Sequence, residues 1–466
     1  MVFKRKWGRT AFFFFFMGAT VISCLGPMSM ASANPSLLRQ SIVDYNLKRY
    51  HESLSDGTYT GAAGILLMEP EIARSFGLKA LTNQDYLEAK ALNAKADRLF
   101  TQAVSALASQ EKEASPDEHA KRAGEAALAS KEALASARRS FADYRSKLTP
   151  ELDDRLNRAA CSALLDRLLK ESLEKASFNL RDGLGIFYNR CQGLPENGPP
   201  LTPENVRFVN YVFSEFQQKG SDKDKKRFDL GKQERRRGTH PGSSWKDVAK
   251  REGLQFTEQI EKYLDSRKKT GYPVDPLLFI ALMRRESNFD PRAVSYVGAA
   301  GLTQIMPKTG KGLGMKKIYM PSYFNEAISL MRRERRLRQK AIALIKEMTP
   351  ATMTKQARLA RDAMQKSLDC RRKRSKLFER YKKELLEKDR DDRLNPAKSM
   401  AYGFRYFSDL MRAQKGDISL ALASYNAGPH RVKQYKGVPP YAETVTFRNT
   451  VLKYYREYLN RLNRSN

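Results

Sequence analysis

The chain of 466 residues is too long for one ordinary domain, and 41% of its residues are hydrophobic, which is enough for more than one buried core. Lysine and arginine number 85 against 52 aspartates and glutamates, so the formal net charge is +33 and favours polyanionic partners. Four cysteines without a Cys-x-x-Cys pair and four scattered histidines exclude a disulfide framework and predict no metal site.

The first 33 residues have the pattern of a secretory signal peptide. A basic segment, Lys4–Arg9, precedes an apolar run over residues 11–22 that is too short to cross a bilayer comfortably, and Ala31-Ser32-Ala33 offers a small-residue cleavage site. Val21-Ile22-Ser23-Cys24 also resembles a lipoprotein box, so a leader that ends before Cys24 stays open. Either leader predicts secretion to the periplasm or cell envelope, and the second predicts an outer-membrane lipoprotein.

Residues 34–218 are predicted to form a helical domain. Small and apolar residues recur at steps of three and four over 89–106 and again over 127–148, which predicts two helices with a heptad-like seam. Between them, Ser115, Pro116 and Glu118 fit the N-cap, first-turn and capping-box positions. We expect an antiparallel hairpin that is either a spacer or a partner-binding coiled coil. Residues 219–253, rich in charge and glycine, are predicted to be a basic linker.

A short helix is predicted to begin at Asp275-Pro276, because aspartate caps free N–H groups and proline fits a first turn. Asp290-Pro291 disfavours its continuation, so Glu286 falls in the last turn. The helix dipole and apolar burial would both raise the pKa of that carboxyl, whereas Arg284 and Arg285 would lower it if they face it. A glutamic acid that is still protonated near neutral pH can donate a proton to a glycosidic oxygen.

Four motifs at and after Glu286 resemble those of the soluble-type lytic transglycosylases, a family with the goose-type lysozyme fold. They are Glu286-Ser287, the glycine-rich segment Gly298–Pro307, Ala423–Pro429 and Pro439–Thr444, in the family's order. The resemblance covers roughly residues 254–315 and 395–462. It implies that residues 254–466 form an all-α, lysozyme-like catalytic domain, which follows the helical domain of residues 34–218.

The same resemblance implies roles for individual residues. It makes Glu286 the catalytic acid and base, and it implies substrate contacts from Ser287, Gln304, Met306, Tyr425, Asn426 and Glu443. Simpler roles stay open for some of them: backbone bonding for Ser287, core packing for Met306 and a surface salt bridge for Glu443. Thr303 and Phe447 depart from the family's pattern, which commonly has methionine and tyrosine there. No metal or cofactor is implied.

Residues 316–394 interrupt the resemblance and are rich in lysine and arginine, with clusters at 332–336 and 371–374. Apolar residues recur at helical spacing on both sides of Thr349-Pro350, which predicts an inserted helical hairpin with a basic outer face beside the cleft. The basic clusters favour a dock for anionic envelope polymers, and a merely solvated helix face is the alternative.

The resemblance implies a function in peptidoglycan turnover. The reaction would be cleavage of the β-1,4 bond between N-acetylmuramic acid and N-acetylglucosamine in a glycan strand, with formation of 1,6-anhydromuramoyl ends. A lysozyme-like muramidase, which would need Asp290 or Glu443 to activate water, is the first alternative. A non-catalytic wall-binding or assembly scaffold is the second. Nucleic acid, which the charge alone would suggest, is not an expected partner of an exported chain.

Overall fold

The computed structural model describes residues 37–110, 115–177, 179–195, 197–219, 245–254, 257–258, 260–261 and 272–464. The predicted leader, with Cys24, and most of the predicted linker lie outside these residues. Within the described ranges the regular secondary structure is helical, with isolated β-bridges in two loops. The predicted all-α fold class is therefore confirmed. None of the described helices is both long enough and apolar enough to span a bilayer.

The N-terminal half contains helices α1 (Leu37–Asp56), α2 (Pro70–Ser75), α3 (Gln84–Ala108), α4 (Pro116–Ser146), α5 (Arg158–Lys175), α6 (Leu180–Cys191) and α7 (Val206–Lys219). Its core joins α1, α5, α6 and α7 through buried leucines and Phe187 and Phe208. Helices α3 and α4 form the predicted hairpin, and buried alanines on α4 let the two helices approach closely. Ser115 caps α4 as predicted, because its hydroxyl oxygen accepts the N–H of Glu118 at 3.2 Å.

The C-terminal half contains α8 (Trp245–Arg251), α9 (Pro276–Ser287), α10 (Pro307–Gly312), α11 (Ser322–Glu347), α12 (Met353–Lys388), α13 (Pro396–Ala413), α14 (Ile418–Ala427), α15 (Pro429–Gln434) and α16 (Ala442–Arg464). Helix α9 runs through the centre of this half, and every residue from Leu277 to Met283 is buried. Helices α13, α14 and α16 surround α9 and supply most of the rest of its core. Helices α11 and α12 flank Thr349-Pro350 as predicted.

The α11–α12 hairpin packs against the α3–α4 hairpin of the other half. Small residues such as Ala123 and Ala360 form a shared core, and the Arg361 guanidinium donates to the carbonyl oxygens that end α3, at 3.1 Å for Ala106 and 2.6 Å for Leu107. The inner face of the predicted insert is therefore buried against the N-terminal half. Most side chains of the basic clusters at 332–336 and 371–374 are exposed, as a basic outer face requires.

Candidate active site

Helix α9 begins and ends where the sequence predicts. The Asp275 carboxylate accepts the N–H of Leu277 at 2.8 Å and the hydroxyl of Tyr455 at 2.8 Å, which caps the helix and joins it to α16. Asn288 follows the helix in the left-handed region, with φ 49°, and its N–H bonds to the Arg284 carbonyl. The rigid, buried body of α9 therefore carries Glu286 in its last turn.

The Glu286 carboxyl lies in an environment that disfavours its charge. Burial raises the pKa of Glu286 to about 8, the nearby Arg285 cation lowers it, and the Glu443 carboxylate raises it. Among the described residues, no group donates a hydrogen bond to this carboxyl. Arg284 faces elsewhere: its guanidinium lies 4.2 Å from the Tyr454 ring centroid and 3.6 Å from the Glu252 carboxylate. The protonated form of Glu286 is therefore abundant near neutral pH.

The glycine-rich loop after α9 is held in a tight conformation beside Glu286. Gly298 and Gly301 have φ of 88° and 80°, and a Cβ on Gly301 would lie 1.7 Å from the Arg393 carbonyl oxygen, so only glycine fits there. The Ser287 hydroxyl donates to the Leu302 carbonyl at 2.9 Å. The Gln304 amide nitrogen donates to two loop carbonyls, at 3.0 and 2.9 Å. Both polar groups thus fix the loop in this structure.

Arg393 organises the loop from behind, and sequence reasoning missed it. Its fully buried guanidinium forms an ion pair with Asp391 at 2.8 Å. It also donates to the carbonyl oxygens of Gly298 (3.0 Å) and Ile305 (3.2 Å) and to the Tyr381 hydroxyl (2.7 Å). The residue lies in the segment assigned to the insert, where the sequence predicts that basic side chains line an outer face. The signal that could have found it is the segment Asp391–Asn395, which repeats Asp153–Asn157.

Tyr425 joins the third motif to the second. Its hydroxyl donates to the Thr303 carbonyl at 2.7 Å, and its ring lies nearly parallel to Phe447, with centroids 6.5 Å apart. Burial raises the pKa of Tyr425, and the nearby Glu286 carboxylate raises it further. Thr303 is itself buried and donates its hydroxyl to the Ser399 carbonyl at 2.9 Å. Both departures from the family's pattern, Thr303 and Phe447, are therefore well packed.

The remaining predicted site residues lie around this centre. The Asn426 side-chain oxygen accepts the Thr444 hydroxyl at 2.7 Å, and none of the described groups accepts a bond from its amide nitrogen. Glu443 is exposed on the first turn of α16, close enough to act on Glu286. Met306 is half-buried before α10, packed on the cluster around Phe324. No group of metal-ligating side chains occurs among the residues that the structure describes.

A family model described as the transglycosylase SLT domain matches residues 265–329 and 374–444. The match includes Glu286 and its loop, leaves out 330–373 and resumes within α12. A protein named transglycosylase from Enterobacteria phage PRD1 is 45% identical over 51 residues, which are 11% of this chain and 19% of that protein. The chain therefore spans less than a fifth of the length of this curated relative.

Two solved structures are also similar. An inactive mutant of the lytic transglycosylase Slt from Pseudomonas aeruginosa is 13% identical, with a TM-score of 0.27, and the similarity covers 92% of this chain and 73% of that one. The 70 kDa soluble lytic transglycosylase SLT70 from Escherichia coli is 16% identical, with a TM-score of 0.27, and coverage of 84% and 65%. Of these comparisons, the family model is the one whose matched residues include Glu286.

Proposed function

We propose that this protein, whose C-terminal half carries a transglycosylase SLT domain, is a lytic transglycosylase that cleaves peptidoglycan glycan strands. The bond cleaved is the β-1,4 linkage from N-acetylmuramic acid to N-acetylglucosamine. The product carries a 1,6-anhydromuramoyl end. The leader pattern supports action in the periplasm or cell envelope.

The position of Glu286, at the end of the buried helix α9 and inside the residues that the SLT family model matches, is the observation that carries this proposal, and its raised pKa agrees with it. A carboxyl with a pKa of about 8 is mostly protonated at pH 7, so it can donate a proton to the glycosidic oxygen as the bond breaks. A water-exposed glutamate with an ordinary pKa would be ionised at the same pH and could not act as the acid. The buried body of α9 holds the group still, which favours proton transfer at a defined distance.

One carboxyl can serve both halves of this reaction. After Glu286 has protonated the leaving oxygen, it is a carboxylate and can accept the proton of the muramoyl 6-hydroxyl. That hydroxyl oxygen then attacks the anomeric carbon and closes the 1,6-anhydro ring, so no water is consumed. Glycosidases that use water or a covalent adduct need a second carboxylate beside the bond. The substrate itself replaces that second group here.

Neighbouring residues support substrate positioning. Asn426 has its side-chain oxygen held by Thr444, so its amide nitrogen has a fixed direction for a sugar carbonyl or hydroxyl. The Tyr425 ring, stacked on Phe447, forms a firm wall next to Glu286. Ser287 and Gln304 hold the glycine-rich loop against α9, and we propose that this loop borders the bound sugars.

The test is digestion of purified sacculi followed by mass spectrometry of the released muropeptides. We expect Glu286→Gln to reduce the rate by about 10²–10⁴-fold, since that is the usual contribution of a general acid. The matched control is Glu457→Gln, because Glu457 lies on the other side of α9, 3.8 Å from Arg284. The control should keep wild-type activity. Undiminished cleavage by folded Glu286→Gln would contradict the proposal.

A further inference from the structure

The two halves of the chain contain the same structural features in the same order. The segment Gly61-Ala62-Ala63-Gly64 in the first half matches Gly298-Ala299-Ala300-Gly301 in the second, and Asp153–Asn157 matches Asp391–Asn395. A long helical hairpin separates the two segments in each half: α3–α4 in one and α11–α12 in the other. The first half therefore has the same order of structural elements as the second.

The buried arginines of the two repeated segments make the same contacts. Arg155 forms an ion pair with Asp153, as Arg393 does with Asp391, each within 2.8 Å. Arg155 donates to the carbonyl oxygens of Gly61 and Met68, both at 2.9 Å, and to the Tyr144 hydroxyl. These partners occupy the loop and hairpin positions of Gly298, Ile305 and Tyr381. Four matched contacts around a buried cation indicate one fold used twice.

The loops themselves also agree in conformation. Leu67 and Gln304, each three residues after the second loop glycine, have φ of 49° and 46°, which is rare for such side chains. A Cβ on Gly64 would lie 2.0 Å from the Arg155 carbonyl oxygen, as one on Gly301 would clash with that of Arg393. The same pair of β-bridge hydrogen bonds closes each loop, between Ala63 and Met68 and between Ala300 and Ile305.

This correspondence identifies the residue that stands where Glu286 would be. The Asn46 amide donates to the Ile65 carbonyl at 2.9 Å, just as Ser287 donates to the carbonyl of Leu302. Ile65 and Leu302 each follow the second loop glycine, so Asn46 matches Ser287. Tyr45 therefore matches Glu286. A phenol with a pKa raised to about 12 stays neutral and is a poor proton donor.

The residues around Tyr45 keep the arrangement of those around Glu286. The Tyr45 ring lies 5.2 Å from Phe208 and 5.4 Å from Tyr211. Tyr188 lies close enough to the Tyr45 hydroxyl to interact with it electrostatically. Tyr425 lies close to Glu286 in the same way. Asn205 donates to the Asn189 side-chain oxygen at 2.9 Å, at the position of the Thr444–Asn426 bond. The first half lacks the carboxyl of Glu286, and Leu67 stands there in the place of Gln304.

We infer that residues 37–219 form a second copy of the domain, which binds a peptidoglycan glycan strand at Tyr45 without cleaving it. This inference rests on the proposed function for its choice of ligand. The rings of Tyr45, Tyr188 and Tyr211 are partly exposed, and aromatic faces of this kind suit sugar rings. Arg49 and Arg207 lie near Tyr45. The Arg49 guanidinium is paired with the Glu52 carboxylate at 2.8 Å, so the exposed Arg207 supplies the cation for the carboxylates of the muramoyl peptide stems.

The two copies are held together in a reciprocal way. Asn210 on α7 donates to the Val438 carbonyl at 2.8 Å, and Asn449 on α16 donates to the Leu201 carbonyl at 2.7 Å. These asparagines occupy matching positions, four residues after Val206 and Val445. Such an exchange is typical of a two-fold interface. It fixes the proposed binding site at Tyr45 relative to Glu286, which favours simultaneous attachment to the wall.

Calorimetric stoichiometry tests this inference directly. The full chain with Glu286→Gln would be titrated with a soluble, uncrosslinked peptidoglycan tetrasaccharide that carries its peptide stems. We expect two tetrasaccharides bound per chain. Adding Tyr45→Ala should leave one. The matched control adds Leu87→Ala, because Leu87 is an exposed apolar residue on α3 of the same half, and it should leave two.

A second variant keeps the test decisive if Tyr45→Ala fails to fold. Arg207→Glu reverses an exposed charge near Tyr45 and should weaken the second site at least about tenfold. If the Glu286→Gln chain binds one tetrasaccharide and the unmutated chain cleaves sacculi, the second site alone is overturned. Two unchanged sites in the folded Tyr45→Ala or Arg207→Glu chains would do the same. A chain that neither binds nor cleaves would instead overturn the proposed function.

Discussion

The Tyr425 hydroxyl donates a hydrogen bond to the carbonyl oxygen of Thr303, 2.7 Å away, and so ties α14 to the glycine-rich loop. The hydroxyl therefore has a structural partner, although the ring lies beside Glu286. We expect Tyr425→Phe to lower the stability by about 1 kcal/mol, because the Thr303 carbonyl loses its donor. A loss of about 1 kcal/mol in the transition state corresponds to less than tenfold in rate, so turnover should stay within about tenfold of the wild-type rate. A much larger loss of kcat with unchanged stability would mean that the hydroxyl takes part in the reaction.

Asn426 should be more sensitive to substitution than Tyr425. Its side chain is positioned by Thr444, and we expect Asn426→Ala to reduce kcat/KM at least about tenfold, since a lost polar contact in a desolvated site costs ~1–3 kcal/mol. Thr444→Val is the informative partner variant, because it keeps Asn426 but removes the bond that orients it. A wild-type rate for folded Asn426→Ala would make the third motif structural.

The pH dependence of cleavage should report Glu286. The reaction needs the protonated carboxyl, so the rate should fall as pH rises past about 8. Arg285 lowers the pKa of Glu286 and Glu443 raises it. Arg285→Gln should therefore move this alkaline limb to higher pH, and Glu443→Gln should move it to lower pH. A limb that stays in place in both variants would show that another group controls it.

The stability of the folded protein should depend on Glu286 in the same pH range. The pKa is about 8 in the folded state against 4.5 for the ordinary group, so folding binds the proton and ionisation opposes folding. The contribution of Glu286 is intact below pH 4.5 and is lost as pH rises to 8. We expect Glu286→Gln to match wild type at pH 4 and to unfold at least about 2 °C higher at pH 9. Equal melting temperatures at pH 9 would contradict the burial of this carboxyl.

The basic clusters of the α11–α12 hairpin should contribute to wall binding. Arg335 on α11 lies close enough to Tyr441 of the fourth motif to interact electrostatically with its hydroxyl. This basic surface therefore lies beside the proposed cleft. Replacing the arginines and lysine of 332–336 and 371–374 with glutamine should weaken sacculus binding at about 50 mM salt and make little difference at about 500 mM, where screening is strong. If sacculus binding by the variant and by the wild type depends on salt in the same way, the basic clusters do not contribute to wall binding. The hairpin would then serve only to pack against the N-terminal half.

The sequence predicted the parts of the site that depend on local signals. The cap at Asp275, the end of α9 before Asp290 and both hairpins follow from residues close together in the chain. The role of Arg393 did not follow, because a buried arginine is recognisable only from carbonyls about 90 residues away. The duplication is hard to predict for a similar reason: the two copies share only short segments, and Tyr45 stands at the position of Glu286.

The most direct test of the account is digestion of sacculi in water enriched in oxygen-18, with mass spectrometry of the new glycan ends. Closure of the ring by the muramoyl 6-hydroxyl consumes no water. The account therefore predicts 1,6-anhydromuramoyl ends without the heavy isotope, and their loss in Glu286→Gln. Reducing ends that carry oxygen-18 would contradict it, because water would then be the nucleophile and a second carboxylate such as Asp290 or Glu443 would have to activate it.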